Sequence, residues 1–174
     1  MSRPAGAVVT TFGGNGFEMQ ITQILPASRI FVDRDGSAIK CKADALRMLS
    51  ELLAPALRTE GSVVEQLLAE RERLQSTGIG DGVAIPHTSL EAAPGRVAAL
   101  LLSPHGVSFD AIDGQDVRII LGVVGPKEAT GEHLRVLARI SRLLRDAETR
   151  EALVRAENGE SAYRLIEARD HSLG

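Results

Sequence analysis

Two short runs, Val97 to Leu102 and Val117 to Val124, carry mostly apolar side chains, and they bound what this chain can become. A strand wetted on one face alternates apolar with polar residues, whereas a nearly continuous apolar run of this length reads as a strand covered on both faces. Asp113-Gly114 marks a turn between the two runs. Covers are supplied by segments of helical period. Ala45, Leu46, Met48, Leu49, Leu52 and Leu53 predict a helix over 43–54, with Pro55 standing where it should stop. Ser62-Val63-Val64-Glu65 has the pattern of a capping box, so a second helix is expected from Ser62, burying Val64, Leu67 and Leu68. Arg71 continues that stripe and should either emerge at the rim of a cleft or snorkel outward. His133, Val136, Leu137, Ile140, Leu143 and Leu144 share one face of a third helix over 133–144, with His133 opening the buried stripe. Asp146 is placed to cap a fourth helix through Val154, and Ser161 to start a fifth through Ala168. Val83-Ala84-Ile85 reads as a short buried strand between the glycine-alternating loop Thr77 to Gly82 and Pro86, leaving His87 at a strand end. Helices interleaved with strands predict an α/β fold, a mixed central sheet flanked by helices in a single domain.

The size suits that reading, because 174 residues fill one domain comfortably. Residues 1–18, with Gly6, Gly13, Gly14 and Gly16, bury too little to repay the entropy of ordering and are expected to form a flexible tail before a domain over 19–170. With 44% hydrophobic and 25% charged residues the chain is an ordinary globular one. Trp is absent and aromatic residues make up 3%, so platforms for base stacking are missing. A net charge of −3, with basic residues scattered among acidic ones, gives nucleic acid no electrostatic footprint. No run approaches the ~20 apolar residues of a membrane span, and no signal-peptide core is present, so no membrane insertion and a cytoplasmic location are expected. One cysteine, Cys41, and four scattered histidines offer no metal-ligand spacing, and no metal or cofactor is expected.

Most catalogued chemistry is absent. Gly78-Ile79-Gly80-Asp81-Gly82 lacks the dinucleotide-binding spacing and precedes a strand rather than a helix, and no phosphate-binding G-x-x-x-x-G-K-[ST] loop occurs. Asp110, Asp113 and Asp116 are spaced by three rather than two, without the closing Glu of a calcium loop, and read as a solvated turn. His105 and His171 read as surface residues. What remains is His87 behind its glycine-rich loop, Arg71 upstream and His133 on the later helix. Each has a bland reading too: a lone histidine after a strand is commonly structural, Arg71 could pair with a carboxylate, and His133 could pack at a helix start. Ser76 and Thr77 could be turn formers or hydroxyl donors.

The stretch from Arg71 to His87, with Ser76-Thr77-Gly78-Ile79-Gly80 inside it and Ile85-Pro86-His87 closing it, closely resembles the active-site signature of the fructose/mannitol-type enzyme IIA domains of the bacterial phosphotransferase system. Phe109-Asp110-Ala111-Ile112-Asp113-Gly114 and Glu132-His133-Leu134 are similar to that family's later motifs, in order, so the resemblance spans roughly residues 19–170; the branch it looks most like is the nitrogen-related regulatory one. The resemblance implies a phosphotransferase/anion-transport-like sandwich. It further implies that His87 takes a phosphoryl group from a small phosphohistidine carrier protein charged at the expense of phosphoenolpyruvate, and that phosphorylation regulates partner proteins not identifiable from sequence. Passing the phosphoryl group to a fructose/mannitol-type IIB domain is the alternative within the family, and a non-phosphorylated protein-binding module with the same fold is the alternative outside it.

The chemistry is compatible with the residues. A neutral imidazole has a ring nitrogen ready to attack phosphorus without a separate base, and a loose transition state asks mainly for alignment and for donors to the equatorial oxygens. By family correspondence Arg71 is the cationic donor and His133 lies beside the acceptor; Ser76, Thr77 and Thr88 are further candidates to bind the phosphoryl group. Family members usually follow the histidine with a small residue, most often glycine. Thr88 stands there instead; its β-branch would resist a positive backbone torsion and crowd a carrier, or its hydroxyl could serve as a donor.

Overall fold

The computed structural model describes residues 19–174, so the tail expected over residues 1–18 lies outside the described part. Among the described residues the chain forms six strands, β1 (Ile30–Val32), β2 (Gly78–Gly80), β3 (Val83–Ala84), β4 (His87–Ser89), β5 (Val97–Val107) and β6 (Val117–Gly125), and five helices. The helices are α1 (Lys42–Leu57), α2 (Gly61–Leu74), α3 (Thr130–Arg145), α4 (Ala147–Val154) and α5 (Gly159–Ser172). All six strands join one mixed sheet in the order β1-β5-β6-β3-β2, with β4 paired to β6 as well. β5 runs antiparallel to β6, while β1 is parallel to β5 and both β3 and β4 are parallel to β6.

The two apolar runs are the paired central strands, and alternation divides their side chains between two cores. Ala98, Leu100, Leu102, Ile119, Leu121 and Val123 meet α3, α4 and α5 on one face. Ala99, Leu101, Ile120 and Val124 meet α1 and α2 on the other. Leu100, Leu101, Leu102 and Ile120 are wholly inaccessible, each such side chain contributing about 1.5–3 kcal/mol by leaving water. The expected α/β architecture with a flanked mixed sheet is the one formed.

Several boundaries differ from expectation for local reasons. Pro55 does not stop α1, which continues to Leu57 and ends where Arg58 adopts a left-handed conformation at φ 55°. The carbonyl that loses its donor belongs to Glu51, an exposed residue, while Leu53, Ala54 and Leu57 go on burying. The capping box at Ser62 does not form, because α2 starts earlier, at Gly61, with Glu60 in the cap position and no side-chain cap bond. Asp146 does cap α4, accepting from the Thr149 backbone N–H at 3.0 Å. The last helix begins at Gly159 rather than Ser161: Asn158 is its cap and shares a reciprocal box with Ser161. The glycine-alternating loop is itself half of a hairpin, in which Asp81 and Gly82, at φ 56° and 75°, turn β2 back into β3.

Candidate functional site

His87 is not merely at a strand end but opens β4, because Pro86 separates β3 from a second short strand that docks on β6. The register His87↔Val123 and Thr88↔Val124 then decides the faces. Val123 belongs to the core under α3 and Val124 to the core under α1 and α2, so neighbouring His87 and Thr88 point to opposite sides of the sheet. His87 therefore lies on the side of α3, where its ring centroid is 5.7 Å from that of His133, with the planes tilted by 49°. Both rings are half-buried.

A cleft of about 250 Å³ opens over His87, lined by Arg71, Gln75, Ser76 and Thr77 from α2 and the loop behind it and by Leu137 and Ser141 from α3. Arg71 reaches it from the last turn of α2, its Nη1 anchored on the Gln75 carbonyl at 2.9 Å. Sequence-expected Arg71, His87 and His133 thus converge. Thr88 is not among the residues lining this cleft, and its backbone is extended strand, so the left-handed torsion a β-branched residue resists is not required there.

Ser76 and Thr77 line the cleft but use their hydroxyls inward. Ser76 Oγ donates to the Phe109 carbonyl at 2.7 Å and accepts from the Gly78 N–H at 3.1 Å. Thr77 Oγ1 donates to Glu72 Oε2 at 2.6 Å, and the Thr77 N–H is held by the same carboxylate. Glu72 is buried and paired with Lys42 at 2.9 Å, so one carboxylate joins α1, α2 and the loop that carries the cleft wall. Donation to a ligand would have to break these bonds, so their visible work is shaping the loop.

The electrostatics hold both imidazoles neutral. Burial pushes His87 below the ordinary histidine value; the Ile85 carbonyl opposes this, the Arg71 cation adds to it and Glu72 opposes it. His133 is pushed down by burial, then by His87 and by Arg96. The tautomer of His87 is set by geometry: a carbonyl can only accept, so the 2.7 Å contact from Nδ1 to the Ile85 oxygen places the hydrogen on Nδ1 and the lone pair on Nε2.

Two residues of this region were not singled out by sequence reasoning, Glu72 and Arg96. The Arg96 side chain is 2% exposed and pairs with Glu132 at 3.3 Å. The available signal was an arginine directly abutting the apolar run that starts at Val97, since a charge carried into a buried strand must find partners.

The family model described as phosphoenolpyruvate-dependent sugar phosphotransferase system, EIIA 2, matches residues 23–169. A nitrogen regulatory protein of Pseudomonas aeruginosa is 33% identical over 149 residues, covering 85% of this chain and 95% of that protein. A fructose-specific EIIA component of Haloferax volcanii is 31% identical over 126 residues, covering 72% and 82%. In three dimensions the crystal structure of the nitrogen regulatory protein IIA-Ntr from Neisseria meningitidis matches with a TM-score of 0.78 at 32% identity, covering 84% of this chain and 98% of that one. Among the described residues no helix is long and apolar enough to cross a membrane. With the family model spanning 23–169 and the fold matching a solved nitrogen regulatory protein at a TM-score of 0.78, this chain belongs to the EIIA type 2 family of the phosphoenolpyruvate-dependent phosphotransferase system.

Proposed function

We propose that this protein is a histidine phosphocarrier, in which His87 Nε2 accepts a phosphoryl group from a phosphohistidine on a small carrier protein and the resulting charge regulates partner proteins in the cytoplasm. The observation that carries the reading is the Nδ1 bond from His87 to Ile85, which presents the nucleophilic nitrogen in a ring that lines an open cleft. In the transfer step the Nε2 lone pair attacks phosphorus as the donor's P–N bond breaks, its electron pair returning to the donor imidazole. The His87 ring gains positive character, and the Nδ1–H directed at the Ile85 carbonyl becomes a charge-assisted bond that stabilises it. Arg71 supplies a planar cationic donor to the equatorial oxygens and His133 a second donor at the ring's side. We assign no donor role to Thr88, whose side chain lies on the other face of β4.

The regulatory branch is preferred because the nitrogen regulatory protein of Pseudomonas aeruginosa is matched over 95% of its own length at 33% identity, while likeness to a fructose-specific component supports passage of phosphate to a IIB domain by the same site chemistry. Incubation with phosphoenolpyruvate, the first enzyme of the system and the small carrier is expected to place one acid-labile, base-stable phosphoryl group on each chain. Absence of label would sink the phosphocarrier reading and leave a protein-binding module built on the same fold.

Acceptance should also depend on pH in a specific sense. Because burial holds the His87 ring below the ordinary value of ~6.5, uptake from a small donor such as phosphoramidate should fall on the acid side with a midpoint below 6.5, as Nε2 takes a proton. The linkage has the same direction: the unfolded rings protonate first as pH falls, so the fold loses stability below that value. An uptake midpoint at or above 6.5 would contradict the assignment.

A further inference from the structure

We infer that Arg96 is a positioning residue for phosphoryl transfer, fixing the tautomer and orientation of His133 from behind; the inference rests on the phosphocarrier reading above. Arg96 stands one residue before β5, far in sequence from α3, yet its guanidinium holds the first turn of that helix at three points. Nε donates to His133 Nδ1 at 3.4 Å, Nη2 donates to the Ala129 carbonyl at 3.1 Å and Nη1 pairs with Glu132 at 3.3 Å. The group packs against the backbone at the end of β6: a Cβ on Gly125 would come within 2.9 Å of Nε and 3.2 Å of Cζ, so any larger residue there would push the guanidinium aside.

The consequence follows from what arginine can do. Guanidinium has donors and no acceptor, so His133 Nδ1 must present its lone pair, and the ring hydrogen is confined to Nε2. His87 carries the opposite tautomer, with hydrogen on Nδ1 and the lone pair on Nε2. Two neighbouring imidazoles are thereby held in complementary states, one a nucleophile and the other a donor. If His133 were in the other tautomer, it would set a second lone pair beside the incoming anion. Facing His133 are His87 from β4 and Arg96 from the approach to β5, and the Arg96 guanidinium is itself paired with Glu132 of α3. Burial, His87 and Arg96 all disfavour a second proton on the ring, which keeps the donor neutral.

The test reads the ring directly. Long-range proton–nitrogen NMR of the nitrogen-labelled protein is expected to show His133 protonated at Nε2 and bare at Nδ1. In Arg96→Met, of similar length but with no donor, the two tautomers should mix and the His133 titration should move to higher pH. The same variant should lower the single-turnover rate of phosphoryl uptake by about 10- to 100-fold, the scale of a misplaced group near a transfer site, with KM for the carrier little changed. Arg96→Lys, which keeps a donor and the charge, should recover part of both effects. Gly125→Ala leaves Arg96 intact but displaces it, and should shift the His133 nitrogens in the same direction; it carries the test should Arg96→Met fail to fold. His133 nitrogens unchanged in whichever of these variants folds would overturn the inference, as would an altered tautomer with a wild-type uptake rate. Since the NMR readout needs no phosphoryl transfer, a wild-type protein that takes no label yet shows the tautomer shift would defeat the phosphocarrier reading while leaving the Arg96–His133 contact established.

Discussion

His87→Gln is expected to incorporate no phosphoryl group under conditions that label the wild type fully, while His133→Gln should still be labelled, only more slowly. Glutamine is close to histidine in size, and its amide N–H can still donate to the Ile85 carbonyl that holds Nδ1 in the wild type. Local structure at the start of β4 should survive, so loss of label reports loss of the nucleophile rather than of the fold. The comparison with His133 is needed because two imidazoles lie 5.7 Å apart, both half-buried and both held neutral. They differ in what their nitrogens do. His87 has its inner nitrogen tied as a donor to a carbonyl, leaving the outer one bare. His133 has Nδ1 committed as an acceptor to Arg96, so its remaining nitrogen is a donor and no nucleophile. Removing such a donor slows an oxyanion-type transition state by about 10²–10³-fold without preventing the reaction. Label that persists in His87→Gln and vanishes in His133→Gln would reverse the assignment.

The parts of this molecule legible in the sequence are those fixed by local period. The central strands declared themselves because both faces are covered, which removes polar positions from Ala98 to Leu102, and α3 because Val136, Ile140, Leu143 and Leu144 recur at helical spacing. Less legible were features where a tertiary contact outweighs a local preference. Pro55 sits inside α1 because buried neighbours on either side keep the helix going. β4 is invisible as a strand, since three residues after a proline carry no pattern, and it exists by pairing with β6. That pairing also sets the face of Thr88: one residue along a strand is a change of face, which no motif reveals. At the site, the convergence of Arg71, His87 and His133 followed from the family resemblance, whereas the resemblance was silent on Arg96 and Glu72. Their partners are dozens of residues away or on another element, and a single sequence shows only that a buried charge must have one.

The largest loss of stability is expected from Asp170→Ala, although it lies in the last turns of the final helix, where truncation commonly does little. Asp170 is 1% exposed and answers three donors: its Oδ1 accepts from Arg139 Nε at 2.6 Å, its Oδ2 from the Ile21 N–H at 2.6 Å, and its carbonyl from Arg139 Nη2 at 3.0 Å. One carboxylate therefore joins α5, the middle of α3 and the turn of Ile21–Gln23 that starts the described chain. Replacing an ion pair as a whole by apolar residues can be harmless, but removing Asp170 alone takes a buried carboxylate from both the Arg139 guanidinium and the Ile21 N–H, at a cost of about 3–5 kcal/mol. For a domain of this size that corresponds to a fall in Tm of about 6–20 °C, readable by thermal unfolding. Asp170→Asn should recover little, because an amide has one acceptor to offer where Arg139 Nε and the Ile21 N–H both need one, and turning its NH2 toward either opposes donor to donor. The exposed pair of Arg164 and Glu160, with side chains 75% and 61% accessible, provides the contrast, since Glu160→Gln should change stability by less than about 1 kcal/mol. Well below its own midpoint, Asp170→Ala should still take up phosphate at close to the wild-type rate. Arg96 grips α3 at its first turn, beside His133, whereas Asp170 grips it near its middle, so the two anchors divide placement of the donor from retention of the helix. Equal midpoints for Asp170→Ala and the wild type would show that the buried pair contributes no net stability.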